Sequence, residues 1–197
     1  MKVGVLALQG AFAAHVATFA SLGIAAFEVR SAEQLAEADR LVIPGGESTT
    51  MSLMLQRSEL VGPLREYLDA GHPVFGTCAG AILLASRIEG GRPDQIGFPM
   101  LDMTVRRNDY GRQRESFETD LAVTGLQGGD FHAVFIRAPR ITQWGGSVEV
   151  LATIDGSPAL VRCGAIMCST FHPELAGDPR LHEMFVSIPA GTGDERS

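Results

Sequence analysis

Pro73-Val74-Phe75-Gly76-Thr77-Cys78-Ala79-Gly80-Ala81-Ile82-Leu83-Leu84-Ala85 reads as a buried strand, a turn of small residues and a helix, with a thiol at the apex. This is the layout of a nucleophile elbow, G-x-S-x-G with cysteine in place of serine. Glycine flanks the apex because the turn is tight and neighbouring backbone must pass close to it. A side chain held there stands clear of the sheet, and the first amides of the helix point toward it. Helix N-termini stabilise anions, which favours a reactive thiolate at that position. The same residues also fit a small buried cysteine in a Gly-Ala turn, a common fate of free thiols.

A strand feeding a helix in this way belongs to an α/β sheet, and the chain on either side keeps the alternation. Val3 to Leu8 reads as a buried strand turning into a helix with Phe12, Val16, Phe19 and Leu22 along one face. Lys2 followed by apolar residues has a superficial likeness to a signal peptide, but Gln9-Gly10 breaks the run and His15 follows. Ala25 to Val29 is the next strand, and Ser31 with Gln34 predicts a capping-box start to a short helix. Leu41 to Ile43 is another strand, followed by helices near 48–57 and 59–69, the strand at 73–76 and the elbow helix. Strand-rich sequence then occupies 99–105, 117–123, 132–137, 148–154, 158–162 and 165–170, before a last helix near 178–187. The alternation implies an α/β fold with a mostly parallel central sheet covered on both faces; the later run implies an antiparallel extension.

Two further stretches carry chemistry. Phe171-His172-Pro173-Glu174 follows the apolar run Ala165-Ile166-Met167-Cys168. Pro173 pushes His172 into extended geometry, and residues two apart on an extended chain point the same way. Glu174 is thereby expected within reach of the imidazole, giving a cysteine nucleophile, a histidine base and a carboxylate that sets the histidine tautomer. Leu41-Val42-Ile43-Pro44-Gly45-Gly46-Glu47-Ser48-Thr49-Thr50 ends a strand in Pro-Gly-Gly, with Ser48 or Thr49 as the expected cap of the next helix. In elbow enzymes one oxyanion donor is the amide after the nucleophile, here Ala79, and the other comes from a loop after a neighbouring strand. Gly45-Gly46 is the candidate loop. A phosphate-binding loop is the competing reading, but the GxxxxGK[ST] pattern is missing.

At 197 residues and 45% hydrophobic, the chain has core enough for one domain, expected over residues 1–188 with a disordered tail at 189–197. A net charge of −7 argues against nucleic acid or an anionic membrane as the main partner. No apolar stretch reaches the length of a membrane span. Cys78, Cys163 and Cys168 make no secreted disulfide framework, and no metal-ligand spacing is present. Cys163 and Cys168 read as packing residues, and a catalytic thiol suits the reduced cytoplasm. His72, His132 and His182 read as structural or solvated; His15, near the Gln9-Gly10 turn, is a candidate for partner contact.

Taken together with Gly4-Val5-Leu6-Ala7-Leu8-Gln9-Gly10, Arg107-Asn108 followed by Gly111-Arg112-Gln113, and Phe135-Ile136-Arg137-Ala138-Pro139, these motifs resemble class I, triad-type glutamine amidotransferases. Among those, the chain resembles the glutaminase subunits of pyridoxal 5′-phosphate synthase from about residue 2 to residue 187. The resemblance implies a three-layer, flavodoxin-like fold, with Cys78 as nucleophile and His172 and Glu174 as its relay. It implies a glutamine pocket lined by Gly46, Glu47, Ser48, Arg107, Ile136 and Arg137, and oxyanion donors at Gly46 and Ala79. An arginine fork suits the α-carboxylate of L-glutamine, which it binds through two parallel hydrogen bonds. No metal or organic cofactor is implied. The implied partner is a separate (β/α)8-barrel synthase subunit, assembled as a ring, that receives the ammonia.

The isolated subunit is accordingly expected to be a poor glutaminase, with Pro44-Gly45-Gly46 as the switch and Gln9, Gly10 and the start of the first helix as contact surface. Tyr110, the Gly90 to Gln95 loop and Trp144-Gly145-Gly146 depart from the family pattern and are expected to stay clear of the motif residues. Three other readings stand beside this one. A glutaminase of another pathway, such as the histidine-pathway synthase, would alter the Gln9-Gly10 and Gly-Glu-Ser segments. A non-catalytic regulatory module has no need of the whole Cys78, His172 and Glu174 set. A thiol hydrolase or peptidase has no use for arginines suited to a free amino acid.

Overall fold

The apolar runs of the first half of the chain pair side by side in one sheet. In the computed structural model, which describes residues 1–107 and 116–191, β1 (Lys2–Leu6) lies parallel to β2 (Ala25–Val29) on one side and β3 (Arg40–Ile43) on the other. β3 pairs in parallel with β4 (Val74–Thr77), and β4 with β12 (Ile166–Ser169). β11 (Ser157–Cys163) and β10 (Glu149–Ile154) continue the sheet antiparallel. The order β10-β11-β12-β4-β3-β1-β2 therefore contains the flavodoxin-like winding, whose ligand crevice lies past the carboxyl ends of the strands where the order reverses.

Successive strand residues point to opposite faces, and this sorts the core in two. Leu41, Ile43, Val74 and Cys168 face one cluster, whereas Val42, Phe75 and Met167 face the other. The first face is covered by α2 (Ala32–Ala36), α3 (Ser48–Arg57), α4 (Val61–Asp69) and α5 (Ala79–Leu84), which bring in Leu35, Met51, Leu55, Leu64, Leu68 and Leu83. The second is covered by α1 (Phe12–Ser21) and α6 (Arg180–Ser187) through Phe19, Leu181 and Phe185. Each fully buried phenylalanine contributes about 1.5–3 kcal/mol of transfer free energy. α5 sits directly on β3: a Cβ at Gly80 would run into the Ile43 carbonyl.

The expected antiparallel extension divides into three parts. Of this later run, β10 and β11 join the central sheet beside β12. β5 (Ala85–Glu89), β6 (Leu101–Arg106) and β9 (Arg140–Trp144) form a separate sheet in which β5 and β6, contrary to that expectation, run parallel, and β7 (Ser116–Leu121) with β8 (Phe131–Ile136) form a hairpin. β5 and β9 were not foreseen. The run Ala81 to Ile88 shows why: α5 ends at Leu84 and Ala85 is already extended (φ −73, ψ 146), while short apolar runs fit helix and strand alike. The Ser31 cap forms, its hydroxyl accepting from the Gln34 amide. Gln34 reaches back to the amide of Arg30, one residue before the cap.

Among the described residues, no helix is long and apolar enough to cross a membrane. Tyr110, Asn108 and Gly111-Arg112-Gln113 lie outside the described residues, as do residues 192–197 of the expected tail; the Gly191 amide donates to the Gly71 carbonyl.

Candidate active site

Cys78 stands between β4 and α5 with φ 49 and ψ −100. A non-glycine residue in such a conformation costs on the order of 1–3 kcal/mol, so the surroundings must impose it. They do: the Cys78 amide donates to the Ser169 carbonyl of β12 at 2.8 Å, and its carbonyl accepts from Ile82 at 3.2 Å. The thiol is thus aimed past the carboxyl end of the sheet, and the residue is only 6% exposed.

His172 follows β12, its amide donating to the Val134 carbonyl of the β7–β8 hairpin at 2.8 Å. The expected extended route to Glu174 is not the one taken. Pro173–Leu175 forms a single 3-10 turn, and this turn brings the carboxylate beneath the ring, with His172 Nδ1 and Glu174 Oε1 2.8 Å apart. Burial favours a neutral Glu174, but the hydrogen bond from His172 and the neighbouring His15 and His172 outweigh it and hold the carboxyl below its usual range. Burial likewise opposes charge on His172, yet hydrogen bonds to Cys78 and Glu174 and the charges of both partners raise it to about 10. The imidazole thus stands between sulfur and carboxylate, an arrangement that can hold a proton there.

The Pro44-Gly45-Gly46 loop passes over this pair. A Cβ at Gly45 would run into the His172 ring, 2.8 Å from Nδ1, and would sit 3.2 Å from Cys78 Cβ. Two hydrogen bonds tie the loop to the end of β1, from the Ala11 amide to the Gly45 carbonyl at 3.4 Å and from Gln9 Nε2 to the Glu47 carbonyl at 3.1 Å.

Glu47, rather than Ser48 or Thr49, caps α3. Its two oxygens accept from the amides of Thr49 and Thr50 at 3.0 and 2.7 Å. A carboxylate wins the position because it takes both amides and places a negative charge at the helix N-terminus. Partial burial works against ionisation, but these bonds and those from the threonine hydroxyls lower Glu47 to about 2. Arg107 then pairs with Glu47 at 2.6 Å and donates to Thr49 Oγ1 at 3.0 Å and Gln95 Oε1 at 3.4 Å. Two expectations change here. Gln95, read as part of a loop clear of the motifs, touches Arg107, and the Arg107 fork is already engaged by Glu47.

One cleft gathers Gly46, Glu47, Ser48, Cys78, Arg107, Ile136, Arg137 and His172, together with Ile82. Ile82 was not foreseen, although it lies four residues after Cys78 on the elbow helix and so shares its face. Ala79, the first residue of α5 after Cys78, is wholly buried. Ser48 Oγ is buried with no hydrogen-bond partner among the described residues, which leaves a hydroxyl free to serve a ligand. Arg137, at φ 43 just past β8, forms no ion pair with the described residues.

His15 is the larger departure from expectation. His15 is completely buried instead of facing a partner, 3.3 Å from Glu174 Oε2 and 2.9 Å from His182 Nε2. His182 is completely buried as well. Hydrophobic periodicity alone cannot distinguish such residues from solvated ones.

The sequence model of the SNO glutamine amidotransferase family matches residues 5–189. A relative in Frankia alni, named pyridoxal 5′-phosphate synthase subunit PdxT, is 52% identical over 195 residues, covering 99% of this chain and 98% of its own. A second protein of that name, in Mycobacteroides abscessus, is 54% identical over 186 residues, covering 94% and 96%. A crystal structure described as a glutamine amidotransferase superposes with a TM-score of 0.88 at 49% identity, covering 94% of this chain and 97% of that one.

Proposed function

Because the chain belongs to the SNO glutamine amidotransferase family, we propose that Cys78, His172 and Glu174 are its catalytic triad and that the cleft above them holds L-glutamine. The activity is that of a glutaminase, releasing ammonia for a separate synthase subunit of pyridoxal 5′-phosphate biosynthesis. The observation that carries the site assignment is His172, set between Cys78 and Glu174 at the floor of a cleft with two guanidinium groups on its wall.

In this reading Cys78 Sγ attacks the side-chain amide carbon of glutamine. The carbonyl oxygen gathers negative charge and is met by the amides of Ala79 and Gly46. Collapse of the intermediate expels ammonia with the proton held by His172, leaving a γ-glutamyl thioester. Water, deprotonated by His172, hydrolyses that ester to glutamate, while Glu174 keeps the ring in the tautomer both steps require.

Arg107, braced by Glu47, forms a fixed wall, and Arg137 offers the guanidinium for the α-carboxylate of the substrate. Truncating a carboxylate-binding arginine costs about 2–4 kcal/mol once the pair is desolvated. Arg137→Ala is therefore expected to lower kcat/KM by roughly 30-fold or more, mostly through KM. Arg107→Lys is expected to raise KM as well, because a point charge cannot hold Glu47 and Thr49 together. Steady-state kinetics with unchanged KM in both variants would move the carboxylate site elsewhere.

The ammonia acceptor, in this proposal a ring of (β/α)8-barrel synthase subunits, docks at Gln9, Gly10 and the start of α1. The two hydrogen bonds from this segment to Gly45 and Glu47 support a route from a docked partner to the oxyanion loop. An oxyanion donor is worth about 10²–10³ in rate, so the purified synthase subunit is expected to raise glutaminase kcat on that scale. Equal rates with and without it would show that the loop is already set in the free chain.

A further inference from the structure

The proposed mechanism uses one oxygen of Glu174; the other faces a buried histidine. Glu174 Oε2 is buried without a hydrogen-bond partner among the described residues, and the nearest ring nitrogen, His15 Nε2, stands 3.3 Å from it. His15 Nε2 also lies 3.4 Å from Thr77 Oγ1, on the strand that delivers Cys78. On its far side His15 Nδ1 is 2.9 Å from His182 Nε2. Phe19 and Phe75 present their rings to His182 at near right angles, which excludes water from the pair. Three elements otherwise separate in sequence, α1, the 3-10 turn and α6, meet at this line of side chains.

We infer that His15 and His182 are positioning residues for the relay, a neutral histidine pair that donates a hydrogen bond to the free oxygen of Glu174 and so fixes the carboxylate beneath His172. This inference rests on the triad assignment made above. The direction follows from the inventory of donors and acceptors. A carboxylate oxygen only accepts, so the proposed bond places the proton of His15 on Nε2, with the Thr77 hydroxyl beside it able to accept as well. Its Nδ1 is then a lone pair and must receive the proton of His182 Nε2. His182 Nδ1 is left unprotonated, and it is the ring atom that is buried without a partner. The reverse order would leave His182 Nδ1 a buried unpaired donor and set the lone pair of His15 Nε2 against the carboxylate, so an unpaired acceptor at His182 Nδ1 is the cheaper outcome. Every proton in the row His182, His15, Glu174, His172 thus points to one consistent arrangement.

The surroundings keep both rings neutral, as that arrangement needs. Burial lowers His15 to about 4, against the pull of Glu174 and with the help of the charge on His172. Burial also lowers His182 to about 3, assisted by His15 and opposed by Asp178. A charged ring at either position would carry two protons and break the row.

Two measurements test the pair. In 15N-histidine-labelled protein at neutral pH, the ring nitrogen shifts of His15 and His182 should both show the neutral Nε2–H tautomer; a proton on His15 Nδ1 would overturn the inference, whatever the activity. This readout needs no variant and stands even if the triad assignment itself fails. The second compares His15→Gln with His15→Asn in the complex with the synthase subunit. A glutamine amide nitrogen reaches the place of Nε2, whereas asparagine reaches only that of Nδ1. Loss of a fixed carboxylate is expected to lower kcat of His15→Asn on the order of 10²-fold with little change in KM, and His15→Gln should recover most of it. Equal kcat values for the two folded variants would show that His15 merely fills space.

Discussion

Cys78→Ser is expected to lower glutamine hydrolysis by on the order of 10⁴-fold or more while leaving the thermal melt unchanged. The two side chains are nearly the same size, and the φ of 49 at the elbow is imposed by backbone hydrogen bonds that serine leaves in place. What changes is the nucleophile: a hydroxyl beside His172 is far less ionised than a thiol at neutral pH. The other cysteines supply the control. Cys168 is completely buried against β4, and burial pushes its thiol up to about 12; Cys163 lies outside the cleft. Cys163→Ser and Cys168→Ser should both keep their turnover. Within the triad, Glu174→Gln should cost less than His172→Ala, because Glu174 orients the base and does not itself take the proton.

Gly45→Ala is expected to lower kcat about 10²-fold or more, although it adds a single methyl group. The new Cβ would run into the His172 ring and sit 3.2 Å from Cys78 Cβ. Neither neighbour can give way cheaply, since His172 is hydrogen-bonded to Glu174 and Cys78 is fixed by Ser169 and Ile82. The imidazole must swing out of line with the thiol, or the loop must lift and carry Gly46 with it. Gly62→Ala, on α4 with nothing within 4 Å of the added atom, is the matched control. It should retain activity and gain a few tenths to about 1 kcal/mol of stability by restricting the unfolded chain. Turnover in Gly45→Ala equal to that of Gly62→Ala would mean that the loop does not touch the working site.

Much of this site was legible in the sequence because it is built from local patterns. The elbow, the Pro-Gly-Gly loop and His-Pro-Glu each follow an apolar strand, and parallel strands deliver their carboxyl ends to one edge. Where the reading failed, the deciding contact lay between distant segments. Glu47 takes the cap because two amides and Arg107, sixty residues away, reward a carboxylate there. Gln95 meets Arg107 only once β6 has come alongside β5. His15 is paired with His182, 167 residues away, and on a helical wheel a buried histidine looks like any polar residue at the edge of an apolar face. The route from His172 to Glu174 was misjudged for a different reason. An extended strand and a 3-10 turn both bring residues near in sequence together, and the proline after His172 starts either one.

The central claim is that Cys78 forms the covalent bond to the substrate. An electrophilic diazoketone analogue of glutamine, incubated with the complex of this chain and its synthase subunit, measures this most directly when the digested peptides are read by mass spectrometry. The account predicts one adduct, on the peptide carrying Cys78, suppressed by excess L-glutamine and absent in Cys78→Ser. Labelling of Cys163 or Cys168 with Cys78 unmodified, or labelling that L-glutamine does not suppress, would contradict it.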